Sequence, residues 1–241
     1  MSIDPWNIAA AAYILQALEE NMISIVFSNS SPAQPPWGGR KPLFGASPFA
    51  AGAPSGRTHP FVLDMATTVL ARGKMRLAAE QGEKIPEGIA LDKHGRPTVD
   101  GMDAFHGVVL PAGGYKGAGI TSLIEILAGV FTGASFGGSV SSLYNDFENS
   151  QNVGHFIIAI KPDLFMPMTE FCSRMDSLVE IIKNQPRADG FDEILLCGEP
   201  ESRTQIDRMT NGLPLQQSTI EKLLKIAQEL DLDFPRGVLV C

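Results

Sequence analysis

Between Ser28 and Ser55 the chain carries Pro32, Pro35, Pro36, Pro42, Pro48 and Pro54 together with Gly38, Gly39, Gly45 and Gly52. Proline fixes φ and lacks a backbone donor, so this density forbids helix and leaves extended or turning backbone. The stretch also holds Trp37, Leu43, Phe44 and Phe49, which argues against a loose linker. We read it as an ordered loop held on the core, and long irregular segments of that kind usually carry a site.

The segments around it alternate. Ile8, Ala11, Leu15, Leu18 and Met22 recur at helical spacing, which predicts a packed helix over residues 8–22, and Met22–Phe27 has the β-branched and aromatic content of a short buried strand. Helix followed directly by strand implies an α/β or α+β layer. Phe61–Leu63 reads as a second strand, with Asp64 placed to cap a helix from Met65 to Gln81 that Gly82 ends. Residues 82–110 carry Pro86-Glu87-Gly88 and Asp92-Lys93-His94-Gly95, turn signals that predict a surface excursion with a solvated His94. Gly154–Lys161 reads as a buried strand with His155 at its entry. Thr169 is placed to cap a helix whose Phe171, Met175, Leu178, Ile181 and Ile182 form a core face. Glu193–Cys197 reads as another short strand, running into Gly198-Glu199-Pro200 and a polar helix. Ser218 and Glu221 match a capping box for a last helix with Ile220, Leu223, Leu224, Ala227 and Leu230 buried.

The chemistry concentrates in Pro111-Ala112-Gly113-Gly114-Tyr115-Lys116-Gly117-Ala118-Gly119, followed by the apolar run Ile120–Phe131. Glycines admit a ligand close to the backbone, and the helix beyond offers unpaired N–H groups and the positive end of its dipole. Lys116 adds a full charge, so the stretch suits an anion, most economically a phosphate. A tight turn with a solvated lysine is the alternative reading. The pattern is neither a Walker loop nor the dinucleotide G-x-G-x-x-G fingerprint. The helix that follows is expected to be buried through Ile120, Leu123, Ile124, Leu127, Val130 and Phe131.

With 27 acidic and 19 basic residues the net charge is −8, which disfavours unspecific binding to nucleic acid or an anionic membrane. Cys172, Cys197 and Cys241 are scattered and not at metal-ligand spacings, so no metal is expected and a reducing, cytoplasmic setting fits best. No apolar run approaches the ~20 residues that cross a bilayer.

Several of these stretches together resemble the malate/L-lactate dehydrogenase family of the non-Rossmann type. They are Ser28-Asn29-Ser30-Ser31-Pro32, Pro36-Trp37-Gly38-Gly39, Gly45-Ala46-Ser47-Pro48, Leu63-Asp64-Met65-Ala66-Thr67-Thr68, Arg72-Gly73-Lys74, Ile85-Pro86-Glu87-Gly88, Gly113-Gly114-Tyr115-Lys116-Gly117, Gly154-His155-Phe156 and Gly198-Glu199-Pro200. The resemblance implies an α/β fold, a mixed and largely antiparallel sheet packed with helices. It divides the chain into a helix over residues 1–21, a cofactor-binding body over 22–200 and C-terminal helices over 201–241 that pack on the body. It implies reversible hydride transfer between NAD or NADP and a small 2-hydroxy or 2-oxo acid, usually in a homodimer. By the match, Ser30, Ser31, Asp64, Met65, Ala66, Thr67, Lys116, Gly198, Glu199 and Pro200 are the cofactor contacts. The family's N-terminal helical segment, with its proposed proton-donating histidine, has no counterpart here, and a second histidine motif aligns with Trp6-Asn7-Ile8-Ala9, placing asparagine or isoleucine, Asn7 or Ile8, where a histidine belongs. His155 is the remaining histidine in a matched motif. Two expectations follow: an oxidoreductase of this family, or a non-catalytic relative that binds nucleotide or a partner subunit without turnover. Apolar surface left bare by the absent layer is expected to cause self-association.

Overall fold

In the structure, a computed structural model that describes residues 10–142, 146–215 and 217–234, the organising element is a four-stranded antiparallel sheet. Its strands are β1 (Ile23–Ser28), β2 (Phe49–Ala53), β3 (Phe61–Met65) and β6 (His155–Ile160), in the order β3-β2-β1-β6. Register sets Val26 opposite both Ala50 and Ile157, and Ala50 opposite Asp64, so these residues share one face. Helix α1 (Ala11–Glu19) lies on that face. Ile14 is fully buried there against Val26 and Ala50, and burying an isoleucine is worth about 1.5–3 kcal/mol. Gly52 makes the approach possible, because a Cβ added to it would lie 2.2 Å from Ile14 Cγ2. The buried side of α1 therefore centres on Ala10 and Ile14, whereas Leu15, expected inside, is half exposed.

The Pro/Gly-rich segment contains β2, flanked by Pro48 and Pro54 just outside the ladder. β3 runs two residues past Leu63, so Asp64 is a strand residue and not the cap of the next helix. Helix α2 (Arg72–Gln81) starts later than expected and ends at Gly82 with a left-handed φ of 66°. Residues 82–110 are not a mere surface excursion. They hold β4 (Ala90–Leu91), α3 (Gly101–His106, capped by Asp100) and β5 (Val108–Val109). Their Ile85, Ala90, Ala104 and Val109 form a second core with Ala33 and Met75. His94 is exposed, as expected.

Helix α4 (Tyr115–Ile124) continues as a π-helical turn over Glu125–Val130. Its buried side is Gly117, Ala118, Thr121, Ile124, Glu125 and Ala128, while Ile120, Leu123, Val130 and Phe131 are exposed. The apolar stripe was legible, but it faces outward. β6 is an edge strand with no fully buried residue. Helix α5 (Met168–Lys183) begins after Pro167, leaving Thr169 inside the helix and without a cap role. Asp176 and Val179 are its buried residues, while Leu178 and Ile181 are exposed. Asp176 accepts the backbone N–H groups of Gly56, Arg57 and Thr58 and the Thr58 hydroxyl, at 2.8–3.1 Å. Glu193–Cys197 is not a strand, although Val62 N–H donates to the Cys197 carbonyl.

The described residues up to Gly198 form one compact unit and those from Glu199 a second. The second consists of α6 (Glu199–Asn211) and α7 (Gln217–Glu229). Ser218 lies inside α7 and does not cap it, and of the expected face Ile220 is buried while Leu223 and Leu230 are exposed.

Candidate functional site

The strand end of β3 passes into the turn Ala66–Thr68, and this turn is laid against the segment that opens α4. Val69 N–H donates to the Leu110 carbonyl at 3.0 Å, Ala112 N–H donates to the Thr67 carbonyl at 2.8 Å, and Thr68 pairs with Pro111. Asp64–Thr67 and the glycine-rich turn, far apart in sequence, are thus adjacent backbones.

Thr67 is the knot between them. Its hydroxyl donates to the Ala46 carbonyl at 2.9 Å, accepts from Gln34 Nε2 at 2.9 Å and lies 2.9 Å from the Thr121 hydroxyl. Gln34 Nε2 also donates to the Gly45 carbonyl at 2.7 Å. Gln34, Thr67 and Thr121 are all buried; Gln34 Nε2 and both hydroxyls are paired, which ties their elements together, while Gln34 Oε1 has no partner among the described residues. Neither Gln34 nor Thr121 was singled out from sequence. The available signals were weak: a glutamine between Ala33 and Pro35, and a threonine one turn after Gly117 on the inner side of α4.

Helix α4 offers its first turn openly. Its N-cap is Gly114, at φ 65° with no side-chain cap, and Gly113 before it stands at φ 71° with nothing within 4 Å of where a Cβ would be. Lys116 and Tyr115 are exposed on that turn. A helix start without a side-chain cap, open backbone at Gly113 and an exposed Lys116 thus follow one another in the chain, an arrangement whose chemistry suits an anionic group. Gly117 is required for a different reason, since a Cβ there would meet the Ala112 carbonyl at 1.8 Å.

Ser30 and Ser31 are half-buried on the loop after β1. Ser30 is packed so closely under Gly45 that a Cβ at residue 45 would lie 2.2 Å from its Oγ, and this Oγ accepts the Ser47 N–H. Between them and β1, Asn29 is buried and bridges three segments. Its Oδ1 accepts the Gly154 N–H at 2.9 Å and its Nδ2 donates to the Ser135 carbonyl at 2.7 Å. Asp64 and Met65 are exposed at the end of β3, and Asp64 Oδ2 accepts the Ala11 N–H at 2.9 Å. Gly198, at φ 93°, sits over Val62 and His59, where a Cβ would lie 2.8 Å from Val62 Cβ. Glu199 and Pro200 open α6 in the second unit. Asn7 lies outside the described residues.

His155 pairs with Ser28 across the β1–β6 ladder. It is half-buried, and burial pushes its pKa below the ordinary histidine value. Burial pushes the Glu125 carboxyl upward, although its Oε1 accepts the Gly137 N–H at 2.7 Å. No group of three or more potential metal ligands occurs among the described residues.

Residues 7–224 match the protein family described as malate/L-lactate dehydrogenase. Among curated proteins, the L-sulfolactate dehydrogenase of Methanothermobacter thermautotrophicus is 40% identical over 225 residues, spanning 93% of this chain and 64% of that protein. The (2R)-3-sulfolactate dehydrogenase (NADP(+)) of Chromohalobacter salexigens is 40% identical over 156 residues, 65% of this chain and 47% of that protein. Among solved structures, sulfolactate dehydrogenase from Methanocaldococcus jannaschii superposes with a TM-score of 0.84 at 39% identity, covering 93% of this chain and 64% of that one. The chain thus spans somewhat under two thirds of the length of these relatives.

Proposed function

The chain belongs to the malate/L-lactate dehydrogenase family, and we propose that it carries out NAD(P)-dependent hydride transfer between a nicotinamide cofactor and a small 2-hydroxy or 2-oxo acid. The single observation that carries this reading is the joining of the Asp64–Thr67 turn to the open N-terminus of α4 through Thr67, Gln34 and Thr121. It makes one continuous ledge from two stretches that the family resemblance assigns to the cofactor.

On this reading Lys116 and the amides of the first α4 turn hold phosphate, the exposed backbone of Asp64–Ala66 lines the ledge, and Ser30 and Ser31 border it. The family resemblance also assigns Gly198, Glu199 and Pro200 to the cofactor, and of these Gly198 belongs to the same unit as the ledge. The cofactor, when bound, gives or takes hydride. Substrate chemistry also needs a proton at oxygen. Asn7 can hold an oxygen but supplies no proton at neutral pH. Burial pushes the pKa of His155 below the ordinary histidine value.

A second reading is a nucleotide-binding relative without turnover, supported by asparagine or isoleucine at positions 7 and 8 where the family resemblance places a histidine. In either case we propose a homodimer, supported by the exposed Ile120, Leu123, Val130 and Phe131 stripe, and a reducing, cytoplasmic setting, supported by the unpaired Cys172 and Cys197. No described helix is long and apolar enough to cross a membrane.

The test is fluorescence titration with NADH and NADPH, repeated on Lys116→Ala, followed by a screen of 2-hydroxy and 2-oxo acids for turnover. Saturable binding that weakens about 10-fold or more in the variant supports the cofactor site, since charge-assisted hydrogen bonds contribute about 1.5–3 kcal/mol. Binding without turnover selects the second reading, and binding of neither nucleotide removes both.

A further inference from the structure

Beside the glycine-rich turn lies a cleft of about 410 Å³ whose walls include Pro36, Trp37, Leu91, Leu110 and Pro111. Arg40 and His94 are its ionisable lining side chains, and no acidic side chain lines it. In a chain of net charge −8 this is a local reversal of sign.

The reversal is built. Asp92, next to the lining residue Leu91, is engaged by its own turn: Oδ1 accepts the N–H groups of His94 and Arg96, and Oδ2 accepts the Arg96 guanidinium at 2.8–2.9 Å. These bonds hold its carboxyl well down, at about 2. Arg40 therefore has no carboxylate partner among the described residues, and its stem rests on Gly95, where an added Cβ would lie 2.8 Å from Arg40 Cβ. The turn that props the guanidinium does not neutralise it.

The cleft adjoins the proposed phosphate site through Pro111 and Trp37. Pro111 lines it, Gly114 packs 3.5 Å beneath the Trp37 indole measured from an added Cβ, and Trp37 meets Tyr115 edge-on at 6.2 Å. Trp37 is 64% exposed, an open aromatic face one residue from the turn that carries Lys116. An exposed indole stacks a planar base, and an unpaired arginine beside it pairs with phosphate in a fork that lysine does not reproduce.

We propose that this cleft receives the adenosine end of a phosphorylated dinucleotide, the base on Trp37 and the ribose 2′-phosphate on Arg40, so that the chain prefers NADP(H) to NAD(H). The inference rests on the nucleotide-binding reading above and goes beyond it in assigning coenzyme choice to Arg40. A small 2-oxo acid fits the cleft less well, because the cleft is open and of a size suited to larger ligands.

The experiment is equilibrium titration of the full chain with NADPH and with NADH, for the unaltered protein, Arg40→Met and Arg40→Lys, with a small 2-hydroxy acid titrated as a third ligand. The expected result is NADPH binding about 10-fold or more tighter than NADH. Arg40→Met should raise the NADPH Kd by about the same factor while leaving the NADH Kd within about 2-fold, and Arg40→Lys should recover part of the loss, as expected for a charge-assisted phosphate pair. Loss of both coenzymes alike in Arg40→Met, no change in either, or weakened binding of the hydroxy acid with coenzymes unaffected each overturns it. If the unaltered chain binds NADH but not NADPH, this inference fails while the nucleotide site stands. If it binds neither, both fall.

Discussion

Asp64 Oδ2 accepts the backbone N–H of Ala11 at 2.9 Å. The carboxylate is on the edge strand β3 and the amide opens α1, so a residue that sequence suggests as the cap of the following helix caps a preceding one instead. It brings a negative charge to the positive end of α1, whose own N-cap position, Ala10, offers no side-chain acceptor. Asp64→Ala should destabilise the fold by about 0.5–2 kcal/mol, the usual worth of such a cap. Asp64→Asn retains an acceptor and should cost less. Urea unfolding of the two variants separates them, and equal, negligible losses would show that the bond does not hold α1.

The Asp176 carboxylate gathers donors from Gly56, Arg57 and Thr58, and these hydrogen bonds hold its pKa below the ordinary carboxylate value. A folded-state pKa below the unfolded one means the stabilisation is fully present above the unfolded value, ~3.9, and is lost as pH falls through the folded value. Asp176→Asn should therefore lower Tm at pH 7, and the gap to the unaltered chain should close as the pH is taken below ~4. A gap that stays constant down to pH 2 would refute this role.

Glu125 presents the opposite case. It is buried, with Oε2 lacking a partner among the described residues, and burial raises its pKa. Its contribution to stability is present below the unfolded value, ~4.3, and is lost as pH rises through the raised folded value. Glu125→Gln keeps an acceptor for Gly137 N–H and removes the charge. It should raise Tm at pH 8 and change it little at pH 4, as thermal melts across that range would reveal.

These three carboxylates show what sequence carried and what it did not. Strand β1, the Gly82 stop and the glycine-rich opening of α4 follow from local chemistry, namely β-branching, a left-handed cap and free backbone, and local chemistry is written in the chain. The outward face of α4 is not, because periodicity identifies a stripe at Ile120, Leu123, Val130 and Phe131 without saying whether anything covers it. Asp176 reads as an interruption in an apolar helix face until the 56–58 loop is placed over it. Strand β2 was hidden because Pro48 and Pro54 advertise a loop while sitting just outside the ladder. The site divides in the same way. The open, glycine-capped start of α4 beside Lys116 is local chemistry and was legible, and Asp64–Thr67 was singled out by resemblance. Gln34 and Thr121, which join the two, reach Thr67 across 33 and 54 residues of chain and carry no local signature.

The exposed α4 stripe makes its own prediction. Apolar surface of this extent on a helix favours association, so light scattering should find the chain above monomer mass. Replacing Ile120 and Phe131 together by lysine should shift it toward monomer without loss of helix signal. A monodisperse monomer in the unaltered chain would remove the association reading.

The last prediction concerns the knot itself. Thr67→Val keeps shape but leaves Gln34 Nε2 with Gly45 alone and deprives the Thr121 hydroxyl of a buried partner. Leaving buried polar groups unpaired costs about 1–3 kcal/mol. Thr121→Val should cost less, because its hydroxyl spans Thr67 and the Gly117 carbonyl and its removal still leaves Thr67 bonded to Gln34 and Ala46. In the double variant the losses should not add, with a coupling of about 0.5–3 kcal/mol for residues in direct contact. If the two turns form one ledge for the nucleotide, Thr67→Val should also weaken coenzyme binding, although its hydroxyl is buried beneath the ledge. Denaturant melts give the coupling and titration with coenzyme gives the affinity. Additive melts with unchanged affinity would mean that the turns are neighbours and not a unit.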